Sequence, residues 1–176
     1  MTDGGYSKLL SDLSIHSIIL LYKTNLFKVA ISGEPVKVKN WILHEMPGLI
    51  TECLISLDDR YLYFVDWIHG DLRQYNIKAP TKPILTGQGW IGGLLQKESS
   101  PIVAVAENGK EWQIEVPKVT ENRLLGGAQM FQLSLDRKRL YITNSLFNKW
   151  DHQFYPELVE NGSHMFQIDV DTEQGL

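Results

Sequence analysis

Ser56-Leu-Asp-Asp-Arg-Tyr-Leu-Tyr63 and Ser134-Leu-Asp-Arg-Lys-Arg-Leu-Tyr141 share five of eight residues at a spacing of 78. Each stretch reads as an Asp-led tight turn running into a β-strand. Extended backwards, the alignment sets Gly48 over Gly126; extended forwards, with a longer loop in the second copy, it sets Leu72 to Ile77 over Met165 to Val170. The repeated unit is strand, turn, strand, polar loop, strand, which is how a β-propeller blade is written.

The rest of the chain agrees with an all-β fold. Runs rich in β-branched and aromatic residues predict strands at Ile15 to Tyr22, Phe27 to Ser32, Ile50 to Leu57, Tyr61 to Val65, Leu72 to Ile77, Ile102 to Ala106, Glu111 to Val116, Gln129 to Leu135, Leu140 to Thr143 and Met165 to Val170. Turn signals such as Met46-Pro-Gly48, Asn108-Gly109 and Asn161-Gly162 separate them. Blades take roughly 40 to 50 residues and rings four to eight blades, so about four blades at most fit this length. The expectation is therefore an incomplete part of a larger ring, with open sheet edges available for self-association.

Composition narrows the function classes. The 176 residues carry 17 Lys plus Arg against 21 Asp plus Glu, and 43% are hydrophobic. A chain of net charge -4 without a basic stripe is not built to bind nucleic acid or anionic lipid. The apolar stretch Leu13 to Tyr22 is half of the roughly 20 residues a membrane-spanning helix needs. A lone cysteine, Cys53, closes no internal disulfide and fits a reducing cytosol.

Longer motifs point to one family. Trp41-Ile-Leu-His-Glu-Met-Pro-Gly-Leu-Ile-Thr51, Trp67-Ile-His-Gly-Asp-Leu-Arg-Gln-Tyr75, Leu85-Thr-Gly-Gln88, Gly126-Gly-Ala-Gln-Met130, Gln153-Phe-Tyr-Pro156 and Gln167-Ile-Asp-Val-Asp171 occur in this order. Together with the duplicated turn they make the chain, from about Phe27 onward, resemble the selenium-binding protein or methanethiol oxidase family. Residues 1–26 read as a divergent segment holding one strand, and 27–176 as the partial propeller. The resemblance implies a seven-bladed propeller that oxidises methanethiol with oxygen and water to formaldehyde, hydrogen sulfide and hydrogen peroxide. Copper is the implied metal, but the family's metal-linked histidine segments and its selenium-linked cysteine segment have no counterpart here. The slice alone is accordingly expected to be inactive. The competing reading is a non-enzymatic propeller module, as in intracellular protein transport, with Trp150, Phe154 and Tyr155 of the loop Phe147 to Tyr155 as anchors.

Among single residues, His69 is the candidate metal ligand, because a neutral imidazole binds metal and a neighbouring carboxylate fixes its tautomer. Asp71 and Arg73, with Gln74, are candidates to line a funnel; the alternative is that Asp71 and Arg73 pair to hold a loop. His44, His152 and His164 share no ligand spacing. Cys53 alternates within Ile50 to Leu57 and reads as a small core residue, with Glu52 beside it giving no support to a reactive thiolate. Gly87-Gln-Gly-Trp-Ile-Gly92 matches a dinucleotide template only formally, since strand-like sequence rather than a helix follows it. Asp169-Val-Asp-Thr-Glu173 reads as a solvated strand end rather than a calcium loop, for want of a glycine pivot. Asn161-Gly-Ser163 is a glycosylation sequon of consequence only in a secreted chain.

Overall fold

The duplicated turn folds twice in the same way, bond for bond. In the computed structural model, which describes residues 18–22, 25–31, 33–79, 82–98, 100–117, 123–171 and 176, Ser56 Oγ donates to Asp58 Oδ1 and accepts from Tyr61 N at 2.6 and 3.0 Å. Ser134 Oγ does the same with Asp136 and Arg139 N at 2.5 and 3.0 Å. Asp59 and Arg137 hold the left-handed position, at φ 56 and 62°. That conformation costs a non-glycine residue about 1 kcal/mol, and the serine-centred bonds on either side offset it.

The strands form antiparallel sheets. β1 (Ile18–Tyr22) pairs with β2 (Asn25–Ile31). β3 (Val36–Lys39) and β4 (Glu45–Met46) precede a four-stranded meander of β5 (Ile50–Ile55), β6 (Tyr61–Asp66), β7 (Asp71–Asn76) and β8 (Ile84–Trp90). β9 (Val103–Val105) and β10 (Glu111–Trp112) then return to β3, giving the order β10-β9-β3-β4. The second copy of the repeat supplies β11 (Phe131–Leu133), β12 (Arg139–Thr143) and β13 (Met165–Asp169). Each of the ten predicted strands meets a strand here, though Gln129 to Leu135 shortens to three residues and Glu111 to Val116 to two, and residues 15–17 and 32 of the first two lie outside the described residues. β3, β4 and β8 were not anticipated: the first two are very short, and β8 holds Gly87 and Gly89, which weaken any propensity signal.

Strand β6 is buried along its whole length, so it reads as an unbroken apolar run rather than an alternation. Tyr61, Tyr63 and Val65 pack against Phe131, Leu133, Leu140 and Ile142 of the second copy. Leu62 and Phe64 pack on the opposite face with Ile50 and Ile77. The two copies also touch through polar groups. Thr51 Oγ1 donates to Gln129 O, 78 residues on, and Phe131 N donates to Glu52, each at 2.6 Å. Arg137 of the second turn is paired with Asp58 of the first.

Two expectations are corrected. The stretch read as a loop of aromatic anchors is α1 (Asn148–Phe154), followed by α2 (Pro156–Asn161). Asp151 organises it, its carboxylate accepting from Ser145 Oγ at 2.7 Å and Leu146 N at 3.1 Å; Pro156 opens α2 where its missing N–H costs nothing. Trp150, Phe154 and Tyr155 turn inward onto Trp67, with ring centroids 6.3, 5.4 and 5.0 Å away; Phe147 is the aromatic residue of that stretch left exposed. The i, i+4 spacing of Trp150 and Phe154 is the helical signal, too short to stand out. Cys53, second, is exposed. A register shift between Ile50 and Glu52 changes the phase of β5, so Leu54 rather than Cys53 packs on the core. Partial burial and Glu52 hold the Cys53 thiol above its ordinary pKa. Among the described residues no helix is long and apolar enough to cross a membrane.

Candidate functional site

The connection between β6 and β7 is the most polar place in the interior. Asp66 ends β6 and Asp71 begins β7, directly opposite one another. Trp67-Ile-His-Gly70 turns between them, closed by Gly70 N donating to Asp66 O at 2.8 Å. Gly70 sits at φ 83°, and a Cβ there would strike the backbone of Gly92 and Gly93. A Cβ on Gly127 would strike Trp67 O, to which the Tyr155 hydroxyl donates at 2.7 Å. Glycines thus let segments 66–70, 91–93 and 126–127 stack backbone on backbone, which seals the turn from solvent.

Asp66, His69 and Asp71 are 0, 1 and 0% exposed. Asp66 Oδ1 accepts from Leu49 N at 3.0 Å and His69 N at 3.2 Å. His69 Nε2 faces Met46 O at 3.3 Å. Asp71 Oδ2 accepts from Arg73 Nε at 2.6 Å and also from Gln88 Nε2. The remaining atom of each side chain has no hydrogen-bond partner: Asp66 Oδ2, His69 Nδ1 and Asp71 Oδ1. One ligand atom from each of the three side chains lies within 4.8 Å of the others. Asp66 Oδ2 and His69 Nδ1 are 3.1 Å apart, an ion-pair distance without hydrogen-bond alignment.

Burial pushes the Asp66 carboxyl up, but His69 and two backbone N–H donors outweigh it and hold it below its ordinary value. Burial lowers His69, yet the Asp66 carboxylate set directly against its ring, the charge of Asp71 and the Met46 carbonyl raise it on balance. For Asp71 burial wins over Arg73, and its carboxyl lies above the ordinary range. Arg73 is held charged by Asp71 and lies over the Phe64 ring, 5.5 Å from its centroid.

Of the residues singled out from sequence, His69, Asp71 and Arg73 come together, Asp71 inside and Arg73 13% exposed at its side chain. Gln74 points elsewhere, donating to Tyr63 Oη at 2.8 Å. His44, His152 and His164 are exposed. Asp66, Gln88 and the Met46 carbonyl were not singled out. The legible signal was an acid closing an apolar strand three residues before a histidine; it passed for a strand boundary.

Comparison with known proteins places the chain. The model of the 56 kDa selenium binding protein family matches residues 9–176. The chain belongs to that family. It is 66% identical over 148 residues to selenium-binding protein 1 of Arabidopsis thaliana, covering 84% of this chain and 30% of that protein. It is 55% identical over 141 residues to methanethiol oxidase of Homo sapiens, covering 80% of this chain and 30% of that protein. Among solved structures, a hypothetical selenium-binding protein from Sulfolobus tokodaii matches with a TM-score of 0.62 and 34% identity, over 88% of this chain and 31% of the other. The chain spans about 30% of the length of the curated relatives named here.

Copper, the metal implied by resemblance to the selenium-binding proteins, calls for several nitrogen or sulfur donors. The buried group offers one imidazole and two carboxylates, and no second histidine or cysteine joins it among the described residues. These residues do not fit a copper centre.

Proposed function

We propose that the chain is a segment of a cytosolic methanethiol oxidase and that it supplies propeller blades rather than the oxidative centre. The observation behind this reading is the 55% identity to the Homo sapiens methanethiol oxidase. The whole protein would convert methanethiol, oxygen and water to formaldehyde, hydrogen sulfide and hydrogen peroxide. The blade reading is supported by the contacts between the two copies, Thr51 with Gln129 and Asp58 with Arg137. In this reading Asp71, Arg73 and His69 stand where the blade connection faces the ring.

The test is methanethiol consumption, with hydrogen sulfide and peroxide detected, by the purified 176-residue chain supplied with copper. A folded protein without turnover is expected. Turnover that vanishes in His69→Ala would place a working centre in these blades and overturn the reading. A second reading, an interaction module, draws on Leu135 and Met165, exposed by 88 and 72% in and beside the β11 to β13 sheet. It expects association that grows with concentration on a sizing column; a monomer at all concentrations overturns it.

A further inference from the structure

We infer that Asp66, His69 and Asp71 form a binding site for one divalent cation held by one imidazole and two carboxylates, as Zn2+ or Co2+ is. The partner pattern carries the inference. Each of the three side chains has one polar atom engaged by the protein and one without a hydrogen-bond partner, Asp66 Oδ2 and His69 Nδ1 stand 3.1 Å apart, and one ligand atom of each side chain lies within 4.8 Å of the others. Buried polar atoms in native proteins have partners as a rule, so three such side chains in one cluster call for a shared occupant.

The engaged atoms are those that would form the outer layer of a metal site. Met46 O faces His69 Nε2, the contact that leaves Nδ1 as the lone-pair nitrogen. Leu49 N and His69 N hold Asp66 Oδ1, while Arg73 and Gln88 hold Asp71 Oδ2. With neutral imidazole, two carboxylates and the Arg73 guanidinium leave the group one positive charge short. Gly33 and Gly48 let the backbone close over Asp66 Oδ2, since a Cβ on either would lie 2.7 or 2.6 Å from that oxygen. Distances suit a cation as well. Donors of a tetrahedral Zn2+ stand about 3.4 Å apart at bond lengths of about 2.1 Å, so the group, within 4.8 Å, closes by side-chain shifts of up to about 1 Å. One imidazole with two carboxylates is a mixed nitrogen and oxygen set suited to Zn2+ or Co2+ rather than to a soft ion.

The experiment does not depend on the oxidase reading and needs no turnover. The full chain is refolded with Zn2+ or Co2+, since the donor atoms are sealed, and freed of excess metal by gel filtration. One Zn2+ per chain is expected, with a Co2+ visible spectrum free of thiolate charge transfer. Asp71→Asn and Asp66→Asn should each weaken binding at least 10-fold, whereas His44→Gln should leave it unchanged. Asparagine is tolerated structurally at the Asp66 position, since Asn144 occupies the corresponding place in the second copy and is fully buried. Substoichiometric metal, which would leave a proton on His69 as the occupant, overturns the site. So does equal affinity in both variants, which would mean adventitious surface binding. Should either variant unfold, X-ray absorption of the Zn2+-loaded native chain decides. One imidazole in an otherwise oxygen shell supports the assignment; sulfur or additional imidazoles overturn it.

Discussion

The two copies of the repeat share a turn and part company beyond it. In the first, Tyr63 is 2% exposed, covered by the second copy; in the second, the corresponding Tyr141 is only half-buried. The position that ends the middle strand is Asp66 in one copy and Asn144 in the other. Both side chains bridge the connection that follows, Asp66 Oδ1 to His69 N and Asn144 Oδ1 to His164 N at 2.7 Å. The amide finishes its work with a second bond, from Nδ2 to Leu125 O at 2.6 Å. The carboxylate instead leaves Oδ2 beside His69. Equal backbone roles can thus hide unequal chemistry, since an amide donates where a carboxylate can only accept.

The largest contrast expected is in packing. Tyr63→Ala should destabilise the fold by about 3 kcal/mol and Tyr141→Ala by about 1 kcal/mol, read by urea unfolding. Equal losses would show that the exposed face of the second copy is covered in solution, which would sharpen the association reading. Next come the two loop glycines of similar φ, Gly70 at 83° and Gly162 at 86°. A Cβ on Gly162 would meet nothing within 4 Å, whereas Gly70 abuts Gly92 and Gly93. Gly162→Ala should cost about 1 kcal/mol for the left-handed backbone alone, and Gly70→Ala at least twice that. Similar costs would break the claim that stacked backbones seal the first connection.

The smallest effect concerns the turn carboxylates. Asp58, desolvated slightly but bound by Ser56, Arg60 and the Arg60 backbone, lies well below the usual range. Asp136, bound by Ser134 and Lys138 N and paired with Arg139, lies at about 2. Because both folded values are depressed, their stabilisation is present above the ordinary carboxylate value and is lost as pH falls through the folded one. Asp58→Asn should cost about 1 kcal/mol at neutral pH, more than Asp136→Asn, because Asp58 also receives Arg137 from the other copy. Acid titration of unfolding free energy should flatten below the ordinary carboxylate value more in Asp58→Asn. The reverse order would remove the ionic tie between the copies.

Legibility followed the range of the interactions. The Ser-Leu-Asp turn, its strand and the meander were readable because each rests on contacts a few residues apart and on period-two patterning. β8 escaped because Gly87 and Gly89 weaken its strand propensity, and α1 because one turn of helical spacing is a weak signal. Cys53 was misplaced since a bulge in β5, invisible in sequence, shifts the alternation.

By itself, then, the sequence determined the duplicated unit, the all-β character, the family and the choice of His69, Asp71 and Arg73 as the residues of interest. Only the tertiary structure decided that Asp66 faces His69, that Met46, Leu49 and Gln88 hold the outer atoms, and that each of the three side chains keeps one atom without a hydrogen-bond partner. The reason is physical. A strand pattern is set by neighbouring residues, but which atom of a side chain stays unpaired depends on backbones brought together from residues 33–49, 66–71, 88–93 and 126–127.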